Sequence, residues 1–182
     1  MSEQTRAADG RAAALAALDA ARDRFLAAFA QAPDEALPFV PAGEEYALGV
    51  LPMHMQDPMR HYLAVFEMVR AGDFGPLDLT GTTEADSASP ERHAAIVAAR
   101  PTGAERGALL VELAAAHERV RALVTTLDEA TFVRSAPVIY PPASAPYATS
   151  CRDIMGWLTD HYDEHTAQVG QLLEAWRRTR TA

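Results

Sequence analysis

The residues with the most chemistry in them are His161 and His165, in the stretch WLTDHYDEHTAQ. Four residues apart on a helix, their Cβ atoms stand about 5–6 Å from one another on one face. That lets two imidazoles converge on a single ion at the roughly 2.0–2.1 Å bond length of zinc. Both fall on an inward stripe between Leu158 and Val169, where two unpartnered imidazoles would lose hydration without compensation. A shared ion answers that cost, although six histidines in the chain make one such pair by accident unexceptional. His54, on the interior stripe of an earlier helical run, supplies a third imidazole. Three protein ligands leave a fourth position for water or substrate, the pattern of a catalytic rather than a structural site. Asp57, three residues on, either orients His54 through its other ring nitrogen or caps a helix whose first residue is Pro58. Neutral imidazoles suit zinc, nickel, copper and iron alike, whereas magnesium and calcium want oxygen.

These side chains need helices to hold them. Residues 6–31 carry Leu15, Leu18, Phe25, Leu26 and Phe29 at three- and four-residue spacing, with Arg22 on the same stripe; they read as an amphipathic helix ending before Pro33. A second helical run over residues 44–70 contains Pro52 and Pro58, so it is expected to kink. Residues 72–101, rich in Gly, Ser, Thr, Asp and Pro, read as a long crossover with a short helix over 91–100. Thr102 and Glu105 form a capping box for a third helix striped by Leu109, Leu113, His117, Val120, Val124 and Leu127. A second proline-rich connection, residues 131–149, leaves room for a short hairpin, and Ser150 with Asp153 caps the fourth helix. The fold predicted is all-α: a single domain over residues 1–182, built as a four-helix bundle with two long crossover loops.

Composition narrows the function classes. All 16 basic residues are arginine and stand against 25 acidic ones, a net charge of −9, which argues against nucleic acid or an anionic membrane as partner. The single Cys151 excludes an internal disulfide framework and a multi-cysteine metal site, and a reduced cytoplasmic setting is expected. The opening MSEQTRAADG lacks a secretory pattern and no stretch approaches 18 uninterrupted apolar residues, so secretion and membrane spanning are disfavoured.

A histidine in the second helix (PMHMQD), about a hundred residues of gap, then H-x-x-x-H followed by x-x-Q on the last helix (DHYDEHTAQ, ending at Gln168) resembles the DinB/YfiT-like superfamily of four-helix-bundle metalloenzymes. The resemblance implies one divalent ion on His54, His161 and His165, zinc or nickel foremost, with iron, manganese and copper open. It implies as partners a small-molecule substrate and a low-molecular-weight thiol such as bacillithiol, mycothiol or glutathione, because characterised relatives include thiol-dependent S-transferases and isomerases. A homodimer is the assembly expected. The alternative is a non-enzymatic metal-binding protein of stress response, which turns nothing over. The prolines beside His54 depart from the smooth helix such a family would place there.

HYDEH also matches the H-x-x-E-H string of inverzincin peptidases, with Glu164 as general base. Only 17 residues follow His165, however, and Glu174 is the one glutamate among them. A di-iron carboxylate bundle would need two E-x-x-H pairs, and the sequence has none. His117 is read as a satisfied core histidine, His61 as a packing or substrate-side residue, His93 as a solvated one and Cys151 as a buried, inert thiol. Trp157 and Trp176 are read as packing.

Overall fold

Four long helical stretches carry the apolar stripes and press them together in a computed structural model that describes residues 3–80, 90–141 and 143–181, the side chains of residues 3–9 and 90 apart. Helix α1 (Glu3–Phe29) ends before Pro33 as its sequence requires and buries Leu18, Ala21, Phe25 and Phe29. The second helix is broken. A 3-10 turn at Leu48–Val50 runs into α2 (Leu51–His54), and α3 (Gln56–Ala71) continues it. Pro52 and Pro58 lack the N–H groups that would bond back four residues, to Leu48 and His54, and the break falls between them at Met55. The kink is thus as predicted, but residues 44–47 are not helical and Gly43 before them takes a φ of 87°. Nor does Asp57 cap Pro58: α3 starts at Gln56, so Asp57 lies inside its first turn. The local capping rule gave way because the helix had already begun upstream, at Leu51.

Gly49 lets the 3-10 turn approach closely. Its N–H donates to the Leu37 carbonyl at 2.8 Å, and a Cβ there would stand 3.0 Å from Leu37 Cβ. Within the first crossover lies α4 (Pro90–Ala98), matching the short helix expected; the crossover's residues 81–89 lie outside the described residues. Helix α5 (Gly103–Thr126) opens on the predicted box, Thr102 N–H donating to Glu105 Oε2 at 2.9 Å. After α6 (Glu129–Val133) comes the last helix, α7 (Cys151–Thr181), whose start is closed by Ser150 N–H on Asp153 Oδ2 (2.9 Å) and Asp153 N–H on Ser150 Oγ (3.2 Å). Helix α7 packs chiefly against α1.

A small sheet is added to the predominantly helical fold. Strands β1 (Leu77–Asp78), β2 (Ala136–Ile139) and β3 (Tyr147–Thr149) lie in that order, β1 parallel and β3 antiparallel to β2. The β2–β3 pair is the hairpin that the proline-rich connection had room for. Its Ala136 and Val138 bury against Val65 and Val69 of α3, tying both crossovers to one side of the bundle. The main core draws on every long helix, with Phe25, Phe29, Phe66 and Tyr162 fully or nearly fully buried. Each such side chain contributes about 1.5–3 kcal/mol of transfer free energy.

Candidate metal centre

Helix α7 turns Leu158, Tyr162 and Val169 into the core, and that rotation carries His161 and His165 to face α2, which ends on His54. The three rings form a triangle with centroids 5.2 Å (His54–His161), 4.8 Å (His54–His165) and 4.4 Å (His161–His165) apart. One ligating nitrogen from each lies within 4.8 Å of the others. Ligands about 2.0–2.1 Å from a common ion stand some 3.3 Å apart at tetrahedral angles, so small side-chain adjustments close the set.

The Nε2 atoms of His161 and His165 are buried and have no hydrogen-bond partner among the described residues. Buried polar groups are nearly always paired, and two unpartnered imidazole nitrogens on neighbouring rings fit a cation between them. The tautomer of His165 is set from behind. Gln168 Oε1 accepts from its Nδ1–H at 2.7 Å, while the same amide's nitrogen lies 3.5 Å from Glu44 Oε2. An amide that donates to a carboxylate on one side presents its oxygen on the other, so His165 Nε2 is left as the lone pair.

Burial lowers all three imidazole pKa values. His54 falls to about 4, chiefly by desolvation and then by the nearby His165. His161 falls to about 3 for the same first cause, helped by His165 and His54. His165 also falls by burial, against the hydrogen bond to Gln168. The neutral form, the one that ligates, therefore prevails at neutral pH.

Asp57 is placed beside the site, but its hydrogen bonds go elsewhere. Its buried carboxylate meets Arg60 at 3.3 Å and Arg92 at 3.0 Å, and its charge reaches His54 through space, opposing the drop in pKa. Above the histidines lies an open cleft of about 510 Å³, lined also by Tyr46, Glu164, Gln168 and Gln171. On the other side a second cavity, about 200 Å³, brings His61, Tyr62 and His93 to His54 and His161. His61 packs its ring 5.0 Å from that of Tyr62 and lies outside the three-histidine group.

Three participants, Tyr46, Glu44 and His93, had no signal in the sequence. Tyr46 packs its ring 4.9 Å from that of His54, and its hydroxyl lies 3.4 Å from His93 Nδ1. His93 in turn meets Glu45 Oε1 at 2.8 Å through Nε2, so His93 is half-exposed yet tied into the wall of the site. Among the acidic neighbours of the ligands, Asp163 points to α1 and pairs with Arg24 at 2.7 Å, Asp160 is exposed, and Glu164 lines the cleft. His117 is fully buried between Tyr162 and Asp19, a satisfied core histidine. Burial pushes the Cys151 thiol up to about 12, which makes it inert. Glu174, the one glutamate the peptidase reading could have used, is exposed and lies 3.4 Å from Arg178.

The family model of the DinB superfamily matches residues 17–169. The chain belongs to the DinB superfamily. No curated protein and no solved structure matches it. The matched span of this DinB-superfamily chain takes in α2 and most of α7, and with them His54, His161, His165 and Gln168. Among its described residues no helix is long and apolar enough to cross a membrane.

Proposed function

We propose that this DinB-superfamily chain is an enzyme that holds one zinc or nickel ion on His54, His161 and His165 and transfers a low-molecular-weight thiol to an electrophilic small molecule. The observation that carries the reading is the pair of unpartnered Nε2 atoms beside a cleft of about 510 Å³, large enough for substrate to reach a fourth coordination position. A divalent ion held there would lower the pKa of a thiol beside it and so make a nucleophile available at neutral pH.

The chain's own residues supply the rest. Gln168 fixes the His165 ring and its tautomer. Asp57, clamped by two arginines, sets a negative charge near His54. Tyr46 covers the outer face of His54 and narrows the approach. Glu164 offers the cleft a carboxylate that carries the thiol's proton to solvent, while Gln168 and Gln171 give it neutral polar walls. Glu164 is the one acidic side chain among the described residues that line the cleft; the preference for thiol transfer over hydrolysis rests on the family resemblance. A reduced, cytoplasmic setting suits such a co-substrate.

The test is conjugate formation with monochlorobimane by metal-loaded and metal-stripped protein, supplied in turn with bacillithiol, mycothiol and glutathione. A metal-dependent rate with one of them is expected. No such rate with any of the three overturns the transfer reading and leaves a protein that binds metal without turnover.

A further inference from the structure

Away from the three histidines, four aromatic rings stand around a shallow cavity of about 290 Å³: Tyr62 from α3, Tyr140 and Tyr147 from the β2–β3 hairpin, and Trp157 from α7. Trp157 is one turn before His161, a rise of about 6 Å, and Tyr62 also lines the cavity under His54 and His161. The rings do not stack. Tyr62 and Trp157 are 5.3 Å apart at 48°, Tyr140 and Trp157 6.2 Å at 83°, Tyr62 and Tyr140 6.4 Å at 69°, and Tyr140 and Tyr147 6.4 Å at 56°. Edge-to-face contacts of this kind are how aromatic rings ordinarily pack; what sets this group apart is that all four rings line one cavity.

Tyr147 is 55% exposed, so the cavity it lines is open to solvent on that side. The Tyr140 hydroxyl is buried beside Thr149, whose own hydroxyl donates to the Tyr147 carbonyl at 3.3 Å. Among the described residues no aliphatic or arginine side chain lines the cavity. A neutral apolar group would be served equally well by Leu or Val. Aromatic faces add the negative side of their quadrupole, which attracts a cation, and a desolvated box of them is how quaternary ammonium groups are recognised. The chain's net charge of −9 favours the same sign of ligand.

We propose that Tyr62, Tyr140, Tyr147 and Trp157 form a subsite for the quaternary ammonium head of a small molecule. Tyr62 lines both this cavity and the one beside His54 and His161, so the subsite neighbours the histidines. The inference does not rest on the metal ion or on thiol transfer, and it is tested on metal-stripped protein.

Choline is titrated against 3,3-dimethyl-1-butanol, which has the same shape without the charge, and against a trimethyl-lysine peptide. Binding is read at the indole N–H resonance of Trp157, assigned with Trp157→Phe. Choline should saturate that shift and bind at least about threefold more tightly than the alcohol. Tyr147→Leu, at an exposed position that leaves folding intact, should weaken choline about two- to fivefold, and Tyr147→Phe should keep it. No saturable choline shift, equal binding of the alcohol, or a Tyr147→Leu variant as tight as wild type would overturn the proposal. Tighter binding of the peptide than of choline would overturn the small-molecule assignment.

Discussion

Replacing Gln168 by leucine removes the amide's hydrogen bonds to His165 and Glu44 and leaves all three imidazoles in place. The bond to the ring is short, 2.7 Å from His165 Nδ1 to Oε1, and it strengthens when a cation on Nε2 makes the ring a better donor. In the variant the ring loses its enforced tautomer, and its Nδ1–H must find water at a buried position. Loss of such a supporting contact costs roughly 10- to 100-fold in metal affinity, which is about 1.4–2.7 kcal/mol. Gln168 is half-buried and contributes little apolar packing, so the fold should lose no more than about 0.5 kcal/mol. Gln168→Glu supplies a charged acceptor to His165 but sets a carboxylate against Glu44, 3.5 Å from the present amide nitrogen, so it should recover only part of the affinity lost in the leucine variant. Competition for zinc against a chromophoric chelator at pH 7 measures the change, with urea unfolding of the metal-free proteins as control. A Gln168→Leu protein that binds within twofold of wild type would refute the tautomer argument.

Asp57→Asn should cost less than about threefold in zinc affinity by the same competition assay, because Asp57 reaches His54 through charge and not through a bond. His117→Leu leaves the fully buried Tyr162 hydroxyl without its 3.2 Å partner and should destabilise by about 1–3 kcal/mol; adding Tyr162→Phe should recover much of that in urea unfolding. Burial holds the His117 pKa below its ordinary 6.5, so the unfolded chain takes up the proton first and the residue's contribution, complete above that pH, is lost as pH falls below it. Between pH 7.5 and 5.5 the metal-free wild type should therefore lose more stability than metal-free His117→Leu. Ser150→Ala opens the box that starts α7 and should cost about 1 kcal/mol in urea unfolding.

What the sequence made legible was whatever a local rule governs. The His161–His165 spacing, the capping residues Thr102 and Ser150, and the proline pair around His54 each act within one or two helical turns, and each took the form expected. His117 followed from its place on the stripe of α5. Tyr46 and Glu44 escaped because they sit in an aperiodic segment whose position is set by tertiary packing, and His93 because its partner Glu45 lies 48 residues away. The two-residue strand β1 has no readable period, and its partner β2 is about sixty residues further on. Asp57 shows a local rule overruled: it stands before a proline as a cap should, yet the helix had started earlier and its carboxylate was free for Arg92.

The central claim is that one divalent ion sits on His54, His161 and His165. Elemental analysis of the purified protein beside the His161→Ala/His165→Ala double variant tests it most directly, with circular dichroism showing that both are folded. The account predicts one zinc or nickel per chain in the wild type and none in the variant. Equal metal content in the two would contradict it.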